Sequence, residues 1–255
     1  MSDTVLKELQ DGVLILTLNR PKKKNAFSRE QWQAFADAMT EANNNSAVAA
    51  VLVTGAGNDF SSGTDLNDFT EEQGDAPHPF EACAEAVMNF DKPLVCAAKG
   101  ICIGGGATLM LHADIVYVGE SLRMRFPFTN LGLVPEFGSS YLLSQIVGTR
   151  KAGEIMLLAE WMGAERAMDL DLATATFSDD KLLDCALDKA KELAQWPINS
   201  LVATKRLLKA DHRAGLEAAL KAEAKEMVRL GGSPENIEAV MAILEKRSPD
   251  FSQFR

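Results

Sequence analysis

The chain has 255 residues, 47% of them hydrophobic and 24% charged, which suits one large domain or a main domain with a smaller appendage and excludes a disordered chain. A net charge of −10 disfavours binding to nucleic acid or to an anionic membrane, so an anionic ligand would need a local basic patch against the average field. No stretch approaches the ~20 apolar residues of a membrane helix. The polar start, MSDTVLKELQDG, has no apolar signal core and the end, QFR, is no peroxisomal tripeptide of the SKL kind; both predict a cytoplasmic protein.

Residues 13–19 (VLILTLN), bounded by Gly12 and by Arg20-Pro21, read as a strand, and the basic segment RPKKKN follows as a loop. Ser28 with Gln31 three residues on forms a capping box, and Trp32, Phe35 and Met39 recur at helical spacing. The pattern predicts a helix up to the asparagine run at 43–45. A buried strand at 49–55 leads into the loop GNDFSSGTDLNDF, and residues 70–79, with Gly and two prolines, are expected to be mobile. A helix at 80–90, a strand at 94–100, and three glycines (104–106) ahead of the helical stretch ATLMLHA come next. Strands at 113–119 and 122–125 complete an α/β pattern with right-handed crossovers.

From about Gly138 the chain reads as almost entirely helical, with helices near 182–193, from Pro197, at 214–230 and at 234–246. A soft boundary near residue 195 divides a core, 1–195, from a helical region, 196–255. Cys83, Cys96, Cys102 and Cys185 include no CxxC pair, and His78, His112 and His212 are widely spaced. That argues against a zinc site or a disulfide framework and for a reducing compartment, with the cysteines as small core residues.

Two glycine-rich loops each stand between a strand and a helix. Their spacing is neither the GxGxxG dinucleotide fingerprint nor a GK[ST] phosphate loop. In a strand–glycine–helix arrangement a backbone N–H near the helix start can point unpaired at a ligand oxygen. Two such donors on one oxygen make an oxyanion hole, which suits chemistry that builds negative charge on a carbonyl oxygen.

Six stretches in order resemble the crotonase (enoyl-CoA hydratase/isomerase) superfamily. They are NRPKKKNAFS (19–28), FSSGTDLNDF (60–69), KPLVCAAKGICIGGGATLML (92–111), ADIVYVGE (113–120), FPFTNLGLVPEFGSS (126–140) and EKRSPDF (245–251). The resemblance implies an α/β fold, a crotonase-like spiral of ββα turns with a helical C-terminal region, assembled as a homotrimer or hexamer. It implies an acyl-CoA thioester substrate and no cofactor beyond the coenzyme A which that substrate carries. The oxyanion donors would be the N–H groups of Thr64 and Gly105. Coenzyme A would lie on Ser62, Asp65 and Leu66, with its phosphates near Lys22, Lys24 and Ala26 of the basic loop. Lys246 and Phe251 would close over the nucleotide. Solvated charge for the lysines and helix capping for Asp65 are equal alternatives.

Hydratases of this kind carry one glutamate on the helix after the glycines and another after the proline of the next loop. Here those places hold Thr108 and Phe128, which cannot shuttle protons. Glu136 remains, among Leu133, Val134, Pro135 and Phe137, and the PEFGSS stretch resembles the PEGCSS region of peroxisomal-type Δ3,Δ2-enoyl-CoA isomerases, whose base is that glutamate. Desolvation by such neighbours would raise its proton affinity, as a base that deprotonates carbon needs. A carboxylate favoured by a helix N-terminus is its alternative role, and Asp68, Glu71 and Glu72 read as a solvated face. The residues therefore predict an enoyl-CoA isomerase. Another thioester reaction of the superfamily, such as hydrolysis or decarboxylation, and an idle CoA-binding protein stand as rivals.

Overall fold

The computed structural model describes residues 3–65 and 78–255. Eight strands are present among them: β1 (Val5–Gln10), β2 (Val13–Leu18), β3 (Ala50–Gly55), β4 (Leu94–Ala98), β5 (Ile101–Ile103), β6 (Ile115–Gly119), β7 (Arg123–Arg125) and β8 (Ala175–Phe177). The main sheet runs β1-β2-β3-β4-β6-β8, antiparallel only at β1–β2 and parallel elsewhere. Helices α1 (Arg29–Asn44), α2 (Pro79–Met88) and α3 (Gly105–Met110) alternate with these strands.

Each winding of the chain also drops one short segment into a second ladder. Phe27 bridges Thr64, Ser61 bridges Cys102, β5 pairs in parallel with β7, and Met124 bridges Met162. A main-sheet strand, a short second-ladder segment and a helix per turn make the expected spiral of ββα units. Strands buried on both faces explain the continuous apolar runs. In β2, Leu14, Leu16 and Leu18 face the α1/α2 core, whereas Val13 and Ile15 face α7 (Leu182–Ala194) through Leu182, Ala186 and Ala190.

The remaining helices are α4 (Ser139–Val147), α5 (Thr149–Leu158), α6 (Ala164–Asp169), α8 (Ile198–Lys209), α9 (Arg213–Leu230) and α10 (Pro234–Leu244). None of the described helices is long and apolar enough to cross a membrane.

Several expectations need correction. β1 was not anticipated, because its side chains are mostly exposed on a sheet edge; the Asp11-Gly12 turn, both at positive φ, folds it onto β2 as a hairpin. β5 falls between the strand expected at 94–100 and the three glycines, where no element is expected from the sequence, and β8 interrupts the stretch read as helical beyond Gly138. Ser28 does cap α1 by accepting from the Gln31 N–H, but the Gln31 side chain donates to Thr4 O (2.8 Å) rather than closing the box. Residues 70–77 of the segment expected to be mobile lie outside the described residues.

The knot that positions the first glycine loop is Asn25, fully buried at φ +53°. Its Nδ2 donates to Ala56 O (2.9 Å) and Asp59 O (2.7 Å), and its Oδ1 accepts from the Arg20 N–H (2.9 Å). Asn25→Ala would orphan three backbone groups and is expected to cost ~3 kcal/mol in denaturant unfolding. A loss below ~1 kcal/mol would mean that water re-satisfies these groups and that the knot is dispensable.

Candidate active site

The two glycine loops meet where the backbone at Gly63 approaches the backbone of Ile103 and Gly105. Phe27 N–H donates to Gly63 O (2.7 Å) and Asp65 N–H to Phe27 O (2.8 Å), so the intervening Thr64 N–H points away from that partner. On the second loop the Gly104 N–H donates to Arg125 O (3.1 Å), and the chain turns at φ +51° into α3. Gly105, its first residue, has no intrahelical acceptor for its N–H. Neither the Thr64 nor the Gly105 N–H finds an acceptor among the described residues. Gly63 sits at φ +84°; a β-carbon there would lie 2.8 Å from Ile103 O and 3.3 Å from the Gly105 nitrogen.

Thr64, Gly105 and Glu136 line one cavity of about 720 Å³. Glu136 lies just ahead of α4, and its Oε1 is 3.4 Å from where a β-carbon on Gly105 would stand. The side chain has no hydrogen-bond partner among the described residues and is half-buried, open toward the cavity. Behind it lies an aromatic wall: Phe27 stacked on Trp32 (3.8 Å), Trp32 edge-on to Phe80 (5.2 Å), and Phe80 edge-on to Phe137 (5.4 Å). Burial first, and then the charge of Glu223, push the Glu136 carboxyl up from 4.5 to about 7. The nearby Cys83 thiol is pushed up by burial and by Glu136, so it stays protonated and is no nucleophile. A carboxyl poised near neutrality beside two unpaired N–H groups can take a proton from a carbon next to a carbonyl while the N–H groups hold the oxygen that becomes negative.

The positions where hydratases of this type carry glutamates are not acidic in space either. Thr108 is fully buried and its Oγ1 donates to Gly105 O (3.3 Å), and Phe128 lines the cavity.

Of the residues expected along the coenzyme, Ala26, Ser62 and Asp65 line the cavity, but the Asp65 carboxylate is ion-paired with Arg20 (2.8 Å) and largely buried. Lys22 and Lys24 are exposed beside the cavity rather than in its wall; Lys23 between them is the lysine that lines it. A 3-10 turn at Pro21–Lys23 decides which of the three faces inward, a choice the KKK run cannot reveal. Leu66 lies outside the described residues. Lys246 holds the left-handed position that ends α10 (φ +55°), and neither it nor Phe251 reaches the cavity; Leu244 and Pro249 of the same segment do. Arg125, from β7, and Met227, from α9, also line the cavity and went unnoticed in the sequence, since nothing local marks them.

Residues 8–254 match the family model described as Enoyl-CoA hydratase/isomerase. The chain is 32% identical to the 1,2-epoxyphenylacetyl-CoA isomerase of Escherichia coli, over 99% of both chains. It is 30% identical to the 2,3-dehydroadipyl-CoA hydratase of the same organism (98% of this chain, 99% of that one). It is also 30% identical to the enoyl-CoA delta isomerase 2 of Rattus norvegicus (96% of this chain, 64% of that one). Its fold is similar to a crystal structure of an enoyl-CoA hydratase/isomerase from Pseudoalteromonas atlantica, with a TM-score of 0.94 at 36% identity over 98% of this chain and 100% of that one.

Proposed function

The chain belongs to the enoyl-CoA hydratase/isomerase family of crotonase-fold enzymes, and within it we propose that this protein is an enoyl-CoA isomerase, moving the double bond of a 3-enoyl-CoA to the 2-enoyl position. The observation that carries the proposal is Glu136: an unpaired cavity carboxylate beside the two backbone donors, while both hydratase positions are occupied by Thr108 and Phe128. Glu136 takes a proton from C2, the thioester oxygen of the resulting enolate receives hydrogen bonds from the N–H groups of Thr64 and Gly105, and the protonated acid returns the proton at C4. One base serves both carbons because they flank a short allylic unit. No cofactor takes part beyond the coenzyme A of the substrate.

In this proposal the coenzyme passes Ala26 and Ser62, with Lys22, Lys23 and Lys24 as counter-charges for its phosphates and with the segment carrying Lys246 and Phe251 above it. Exposed Leu157, Leu158, Leu207, Leu208 and Val228 support association into a homotrimer or hexamer, since such side chains seldom stay in water in numbers.

Turnover of 3-enoyl-CoA and of 2-enoyl-CoA by the purified protein is the direct test: isomerisation of the first with little hydration of the second is expected, and the reverse would overturn the assignment. The pH profile adds a second check. The base must be ionised, so kcat/KM for isomerisation should rise with pH and level off above about 7. An acid limb centred near the ordinary carboxylate range would mean that another group is the base.

A further inference from the structure

We propose that Glu223 is the positioning residue for the base: from α9 it grips the turn that presents Glu136, coupling the C-terminal helices to the reacting carboxylate. The inference rests on the isomerase reading for its kinetic part. Glu223 is buried, 7% exposed, yet it makes no ion pair among the described residues. Its Oε2 accepts from the Gly138 N–H (2.7 Å), and its Oε1 accepts from the Ser140 N–H (2.9 Å) and the Ser140 hydroxyl (2.5 Å). These N–H groups open α4, the positive end of that helix, and a side chain from a distant part of the chain satisfies them.

The turn so gripped needs holding. Phe137 (φ +61°) and Gly138 (φ +70°) follow Glu136 in the left-handed region, where a phenylalanine is strained. From the other side the His112 ring donates from Nε2 to Phe137 O (2.8 Å), and its centroid lies 4.4 Å from that of Phe137. Burial pushes His112 down to about 4, so it is a neutral donor near pH 7. Phe137, Gly138 and Ser140, which follow Glu136, are thus held by side chains from α9 and from just beyond α3, and they set the backbone from which the Glu136 carboxylate projects. One turn further along α9, Met227 enters the cavity wall, so the helix that grips the base also borders the substrate.

Glu223 has an electrostatic part as well. Around Glu136 the titratable groups are Glu223 from α9, Cys83 from α2 and His112 after α3; α1 contributes the uncharged Trp32. Lys23, Arg125 and the Arg20-paired Asp65 stand elsewhere around the cavity. Cys83 and His112 are neutral near pH 7; burial raises the pKa of Glu223 itself, and its three donors oppose that shift by favouring the carboxylate. Its charge disfavours ionisation of Glu136 and so makes Glu136 a stronger base.

The test compares wild type with Glu223→Gln and Glu223→Ala, using kcat and KM for 3-enoyl-CoA across pH. A second readout, independent of turnover, is the titration midpoint of the Glu136 carboxyl followed by infrared difference or carbon NMR. Glu223→Gln keeps size and some acceptor capacity but loses the charge. It should move both the Glu136 midpoint and the acid limb down by about one pH unit and lower the plateau kcat about tenfold, leaving KM within about twofold. Glu223→Ala, which also frees the turn, should lose about 10²-fold in kcat.

Unchanged midpoint and kcat in a folded Glu223→Gln variant would overturn the proposal. So would a lower melting temperature with kcat and KM affected alike and the midpoint unmoved, the pattern of a merely structural residue. If Glu223→Ala fails to fold, Glu223→Gln decides. A wild type that never isomerises 3-enoyl-CoA would refute the isomerase reading, while the Glu136 titration would still judge Glu223.

Discussion

Glu136→Gln is expected to lose about 10³-fold or more in kcat for isomerisation of a 3-enoyl-CoA while remaining fully folded. The substitution is nearly isosteric, and the Glu136 side chain has no hydrogen-bond partner among the described residues, so the amide breaks no contact of the fold. What disappears is the ability to take a proton from carbon and return it. Stability should move in the opposite direction from activity. The folded carboxyl sits at about 7 against 4.5 for the free group, so the fold favours the protonated acid. That advantage is fully present below about 4.5 and is lost as pH rises through about 7. Above that, ionised Glu136 costs the fold up to about 3 kcal/mol, from 2.5 pH units at 1.36 kcal/mol each. The glutamine variant should therefore melt higher than wild type at pH 8, whereas the gain should vanish near pH 4. A variant as active as wild type, or a melting temperature lowered at pH 8, would remove Glu136 from the proposed role of base.

The alternating α/β architecture was legible because strands buried on both faces are written as apolar runs: VLILTLN, AAVLVTG and LVCAAKG each contain a strand of the main sheet. β1 and β8 escaped because an edge strand buries little and a three-residue strand carries no period. At the site, Glu136 could be singled out as a charge among apolar neighbours, whereas the glycine loops announced only that backbone donors were available; Thr64 and Gly105 were implied by the resemblance to the crotonase superfamily. The partners that complete the site come from far along the chain. Glu223 stands 83 residues beyond Ser140 on a helix of alternating charge and alanine, and no local feature separates it from Glu217 or Glu226. Arg125 likewise reads as one more charge on a short strand. Sequence patterns report which surface a residue buries; they report poorly which distant backbone group it will meet.

Gly63→Ala carries the second large expected effect, because Gly63 sets the spacing of the two proposed oxyanion donors without being one. At φ +84° an alanine is strained, costing roughly 1–2 kcal/mol. Its methyl would lie 2.8 Å from Ile103 O, a backbone atom held in the second ladder by β5 pairing and by the Ile103 N–H to Ser61 O bond (2.9 Å). The carbonyl cannot swing aside as a side-chain end would, so the first loop must shift, carrying the Thr64 N–H away from the Gly105 N–H. Losing one aligned donor should lower kcat for isomerisation about 10²- to 10³-fold. KM should change less than kcat, since Ala26 and Lys23 on the proposed coenzyme path belong to the basic loop rather than to the glycine loop that must shift. Two controls separate geometry from chemistry. Thr64→Ala keeps its N–H and should stay within a few-fold of wild type, because the threonine side chain plays no part in the hole. Gly153→Ala, in α5 with nothing within 4 Å of the added methyl, should leave activity unchanged and, if anything, raise the melting temperature. Should Thr64→Ala prove as damaging as Gly63→Ala, the threonine hydroxyl would be the active group and the two-amide oxyanion hole would have to be abandoned.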